Sequence, residues 1–93
     1  MAMPAKQVFY SGHVQGVGFR FAVKQIAAGY EVTGWVKNVD DGRVEMLASS
    51  VDAEELDAFL EAIQDSSLGG NIKEAEVHKS VAPAGLRGFS IVR

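Results

Sequence analysis

The chain has no cysteine. That excludes disulfides, thiol nucleophiles and thiolate metal sites. It has only two histidines, His13 and His78, which fall on different predicted elements. Neither a Ser-His-Asp set nor a metal-ligand cluster is evident, and no metal or cofactor is expected. Long apolar runs are also missing. The opening residues, Met1-Ala2-Met3-Pro4-Ala5-Lys6-Gln7, carry no signal-peptide pattern and no membrane span, so cytoplasmic residence is the expectation. Basic residues are in deficit: 9 Lys and Arg against 12 Asp and Glu leave a formal charge of −3. Nucleic acids and anionic membranes are held by a basic footprint that this chain lacks, so neither is expected as a partner. An anion bound here must be drawn by local groups. The chain is expected to be a monomer acting on a small molecule.

What is present is ordinary for a globular protein. Ninety-three residues with 47% hydrophobic and 23% charged content suit one domain over 1–93 with a small core. There is no internal repeat and no linker. The spacing predicts a strand over 7–12, where Val8 and Tyr10 alternate with Gln7, Phe9 and Ser11. A helix is predicted over 19–28. Phe19, Val23, Ile26 and Ala27 give its apolar stripe, and Gly29 is placed at a left-handed cap. Strands are predicted over 31–38 and 43–50. The Asp41-Gly42 pair between them is a strong hairpin signal. Asp52 is expected to cap a second helix, with Glu55 closing a capping box and Val51 stapling onto Leu56. Leu56, Phe59, Leu60 and Ile63 form its buried stripe, and it frays near Ser66. A fourth strand is expected over 72–80, with Ala75 and Val77 inward and Glu74, Glu76 and His78 outward. A loop over 81–88 leads to a short strand over 89–92. The order β-α-β-β-α-β plus a terminal strand predicts a ferredoxin-like α+β sandwich. Its two helices lie on one face of an antiparallel sheet. That architecture hosts enzymes, sensors and RNA binders, so function has to come from a site.

The most informative stretch is Gly12-His13-Val14-Gln15-Gly16-Val17-Gly18-Phe19-Arg20. Glycines between a strand and a helix permit positive φ and let successive N–H groups face one concavity. The positive end of the first helix backs that concavity, which suits a phosphate. Arg20, in the first turn, adds a permanently charged, bidentate clamp. The loop is neither a P-loop nor a dinucleotide fingerprint. On glycine spacing alone it is equally well read as a plain turn with Arg20 on the surface. Asn38 ends the second strand just before the hairpin. It is either a turn residue or, if the first two strands end at the same edge, an amide within reach of the loop. A neutral amide can orient a water and donate to an anion, but it is a poor base. A phosphate cradle, one arginine, one amide and no acid–base pair cannot readily protonate a poor leaving group. They suffice where a carboxylate departs, because the parent acid has a pKa of about 4. Asp40 and Asp41 are explained by the turn, His78 as a solvated strand residue and His13 as an exposed loop residue.

These residues resemble the acylphosphatase family. The loop is similar to the family's G-x-V-Q-G-V-x-F-R signature. Gly34-Trp35-Val36-Lys37-Asn38, followed by Asp41-Gly42-Arg43-Val44-Glu45, is similar to its G-W-V-x-N-x-x-D-G-x-V-E. The resemblance covers essentially the whole chain. It implies hydrolysis of acyl phosphates to carboxylate and inorganic phosphate without metal or cofactor. It implies phosphate binding by Arg20 and by the backbone of Gln15, Gly16, Val17, Gly18, Phe19 and Arg20. Arg20 and Asn38 are the implied catalytic residues, with Asn38 positioning the attacking water. The end of the first helix and the stretch 66–71 depart from the family pattern. Two other readings remain. A non-catalytic small-anion binder of the same fold would keep the loop. An RNA binder would need its Gly-Phe-rich motif on a central strand, whereas here the motif opens a helix.

Overall fold

The computed structural model describes residues 3–16 and 18–92. The elements are β1 (Pro4–Gly12), α1 (Phe19–Ala27), β2 (Thr33–Asn38), β3 (Val44–Ser49), α2 (Ala53–Asp65), a 3-10 turn (Ser67–Asn71), β4 (Ile72–Val81) and β5 (Phe89–Val92). They build one five-stranded sheet in the order β4-β1-β3-β2-β5. The ferredoxin-like arrangement expected from the element order is present. The sheet is mixed, because β5 pairs parallel to β2, with Gly34 opposite Phe89 and Val36 opposite Ile91. The residues between β4 and β5 carry the chain from one edge of the sheet to the other, where the last strand lies beside β2, which runs the same way.

Alternation sets the two faces. Val8, Tyr10, Val36, Val44 and Met46 are buried on the face that meets Phe19, Val23 and Ala27 of α1 and Leu56, Phe59 and Ile63 of α2. Aromatic pairs knit this core. Tyr10 and Phe19 lie 5.4 Å apart, and Phe59 lies 5.7 Å from Phe89. Burial of Tyr10 pushes its phenol pKa well above the usual value. The helix-free face carries Phe9 and Trp35 beneath the cations of Arg43 and Lys37. Ala75 packs against the core as expected, but Val77, expected inward and opposite Val8, is 49% exposed because β4 is an edge strand.

Three local expectations are corrected. Gly29 is not left-handed. Ala28 stays right-handed at the end of α1, and Gly29 and Tyr30 donate back to Ile26 and Ala27. Those short-range bonds already satisfy the last carbonyls. Asp52 does cap α2, accepting the Glu54 N–H at 2.9 Å. No capping box closes, because the Asp52 N–H donates to Ser50 Oγ, and Glu55 reaches across to accept the Glu31 N–H at 3.0 Å. Val51 is 76% exposed, so it does not staple the helix.

Candidate active site

β1 and β2 both run antiparallel to β3, so both point the same way. Val44, at the start of β3, stands opposite Tyr10 on one side and Asn38 on the other. β5, parallel to β2, ends beside Lys37. Three strands therefore finish at one edge of the sheet, and α1 begins there. An open cavity of about 260 Å³ occupies this edge. Gly16, Gly18, Arg20 and Asn38 line it, with Val14, Phe19, Phe21 and Ile91 as apolar walls.

The loop is shaped by glycine. Gly16 and Gly18 have φ of 77° and 73°, the left-handed region that other residues enter only at a cost. Gly18 is also the N-cap of α1, and no side chain caps that end. No acidic residue occupies the first turn. The first described helical bond runs from the Ala22 N–H to the Gly18 carbonyl at 3.0 Å. Among the described residues, no backbone carbonyl accepts from Gly16, Gly18, Phe19 or Arg20. A helix normally leaves such first-turn donors for a cap, water or ligand, and here the cavity lies at that end. The start of the loop is pinned where the His13 N–H donates to Asn71 O at 2.9 Å.

Arg20 is half-buried, and its Nη1 donates to Val92 O at 3.4 Å. Among the described residues, the ion pairs join Lys6 to Asp57, Lys37 to Glu45, Arg43 to Asp41 and His78 to Glu76. None neutralises Arg20. No Asp, Glu or His side chain lines the cavity. Among the described residues its electrostatics are therefore those of one guanidinium and a helix N-terminus, both attractive to an anion. Asn38 is exposed at the end of β2 and presents a neutral amide to the same space. No group of three or more His, Asp or Glu side chains able to hold a metal ion occurs among the described residues.

The hairpin that carries Asn38 is closed by several bonds. The Val39 N–H donates to Arg43 O at 2.8 Å, and the Gly42 N–H donates to Val39 O at 3.1 Å. Asp41 accepts the Arg43 N–H at 3.0 Å and the Arg43 Nε–H at 2.8 Å. The Arg43 N–H, followed by the guanidinium, holds the Asp41 carboxyl below its usual pKa.

Arg20 and Asn38 are thus brought together, as are Gly16, Gly18 and Phe19. Val17 lies outside the described residues. Gln15 is not part of the lining; its side chain turns to the hairpin, donating from Nε2 to Val39 O and Arg43 O, both at 2.8 Å. His13 and His78 are both exposed and away from the cavity lining. Sequence reasoning missed Phe21 and Ile91 as walls. Ile91 had a usable signal, since alternation after Gly88 puts it on the same face as Phe89. Phe21 had none, being a solvent-facing helix residue by period.

The fold and the cavity define a class, an α+β protein with a small open cavity, lined by an arginine and a helix N-terminus, at the shared ends of its strands. Comparison with known proteins narrows the class. The family model described as Acylphosphatase matches residues 6–91. An acylphosphatase of Bacillus velezensis is 46% identical over 80 residues, covering 86% of this chain and 88% of that protein. The crystal structure of acylphosphatase from Bacillus subtilis superposes with a TM-score of 0.86 at 40% identity, covering 98% of this chain and all of that one. An acylphosphatase structure from Coxiella burnetii gives 0.80 at 26% identity, covering 98% of this chain and 94% of that one. The chain belongs to the acylphosphatase family.

Proposed function

We propose that the cavity between the β1–α1 loop and Asn38 is where this protein cleaves the carboxyl–phosphate bond of an acyl phosphate. The chain is an acylphosphatase, a hydrolase with a small acyl phosphate as substrate and phosphate as a product. The division of labour is our reading. Its main support is that Arg20 and Asn38 line one cavity at an uncapped helix N-terminus. The phosphoryl oxygens sit on the loop N–H groups between Gln15 and Arg20 and on the Arg20 guanidinium. The Asn38 carbonyl accepts a hydrogen bond from a water, and its N–H₂ steadies a phosphoryl oxygen.

The water attacks phosphorus in line with the leaving group. A P–O bond to water forms as the P–O bond to the acyl group breaks, and its electron pair leaves on the carboxylate. The water's proton passes to a phosphoryl oxygen of the substrate itself. No general acid is needed, since a carboxylate is stable without protonation near neutral pH. In a loose transition state charge collects on the equatorial oxygens, where the loop donors and Arg20 are preorganised. The protein works as a single monomeric domain in the cytoplasm, with neither nucleic acid nor membrane as partner.

The test is hydrolysis of benzoyl phosphate by the purified protein in the presence of EDTA. Turnover to benzoate and phosphate is expected. Phosphate binding without turnover would instead make the chain a small-anion binder of the same fold.

A further inference from the structure

The Gln15 side chain spans the gap between the two halves of the site. We propose that Gln15 is a positioning residue. It sets Asn38 against the phosphate loop by clamping the base of the β2–β3 hairpin, and this inference rests on the acylphosphatase reading of the cavity. Its Nε2 lies 2.8 Å from both Val39 O and Arg43 O. Two carbonyl acceptors fix which end of the amide faces them, because only the N–H₂ end can donate twice. Val39 directly follows Asn38, and the Val39–Arg43 pair closes the hairpin with its own backbone bond at 2.8 Å. Gln15 therefore grips both sides of that closure. Asn38 itself is exposed. The loop has independent anchors in the His13 bond to Asn71, in buried Val14 and in buried Phe19. Loss of the clamp should then release the hairpin end more than the loop. The consequence is a misplaced water, not a lost phosphate, and a small displacement of a reacting group is costly.

The experiment uses Gln15→Glu and Gln15→Met in wild-type and Asn38→Ala backgrounds, with kcat on benzoyl phosphate and Kd for inorganic phosphate. Gln15→Met keeps the length and removes the donors. Gln15→Glu keeps the shape and sets a carboxylate against two carbonyls. We expect kcat to fall about tenfold in the Met variant and further in the Glu variant, with phosphate Kd within about twofold of wild type. Lowering the pH should restore part of the Glu variant's activity relative to wild type, because the protonated acid can donate one hydrogen bond. In the Asn38→Ala background either change should be nearly silent, as for residues acting as a unit. Phosphate affinity falling in step with kcat, or losses that multiply with Asn38→Ala, would overturn the proposal and assign Gln15 to the loop. Either result in an active wild-type enzyme sinks only this inference. Absence of wild-type hydrolysis sinks the acylphosphatase reading and the inference with it.

Discussion

The two helices of this protein begin in opposite ways. α2 opens on Asp52, whose carboxylate accepts the Glu54 N–H, and Glu54 and Glu55 add negative charge to its first turn. A side-chain cap and first-turn acids, both of which favour a helix start, are present there. α1 opens on left-handed Gly18 with no side-chain cap, no acid, and Arg20 in its first turn. Judged as a helix start it is poor, because positive charge near a helix N-terminus is disfavoured. The difference teaches where a ligand belongs. One end is capped within the chain and serves stability. The other leaves donors and a cation facing a cavity, where we propose that the phosphoryl group of the substrate binds. The cost of the unfinished end is carried by buried neighbours, since Phe19 and Val23 of α1 are almost fully enclosed.

The comparison predicts that substitutions at the two ends will separate activity from stability. The largest effect falls at α1. Arg20→Gln should lower kcat/KM for benzoyl phosphate by about 10³-fold, since one preorganised charge at a phosphoryl transition state is worth that much. Its unfolding free energy without ligand should stay within about 0.5 kcal/mol of wild type, because no carboxylate partner among the described residues is lost. Phosphate at about a hundred times its Kd should stabilise the wild type by about 2.7 kcal/mol, and the variant hardly at all. A full phosphate-induced rise in Tm in Arg20→Gln would show that the arginine is not part of the anion site.

Asp52→Ala is the mirror experiment. Loss of the cap should cost about 1 kcal/mol in urea unfolding. Benzoyl phosphate turnover and the phosphate-induced stabilisation should be unchanged. A large loss of activity in this variant, measured well below its Tm, would mean that the two ends are coupled through the core and that the contrast drawn above is too simple.

These contrasts were partly legible in the sequence. Asp52 just ahead of the apolar stripe reads directly as a cap, because N-cap geometry needs only local chain. The loop glycines and Arg20 read locally as either an anion site or a plain turn, and the family resemblance chose between them. Asn38 required a further step: its place at the cavity follows only once β1 and β2 are known to run the same way from β3. What sequence reasoning could not supply was long-range. Glu55 had two possible N–H partners, and Ser50 decided between them by taking the nearer one. The parallel pairing of β5 with β2 depends on a crossing of the sheet that periodicity does not encode. Gln15 looked like one more backbone donor in a glycine loop, because nothing local says that its amide meets a hairpin twenty-odd residues away.

The smallest effect concerns Asp41, which does for the hairpin what Asp52 does for α2: each accepts the N–H two residues ahead. The Arg43 N–H lowers the Asp41 pKa from its ordinary 3.8, with the Arg43 guanidinium adding to the effect. A depressed folded-state pKa means that the stabilisation is fully present above the ordinary value and is lost as pH falls through the folded one. Asp41→Asn should therefore be slightly less stable than wild type at about pH 6, and the gap should narrow by about pH 2.5, as the Asp41 carboxylate takes up a proton. Because the carboxylate is exposed, the gap will be small and will shrink with added salt. Urea midpoints of the two proteins at both pH values measure it. A gap that does not change with pH would mean that the turn depends on the shape of the Asp41 side chain alone. The carboxylate caps would then be alike in geometry but not in electrostatics, leaving the Arg20 end of α1 as the place where charge matters most.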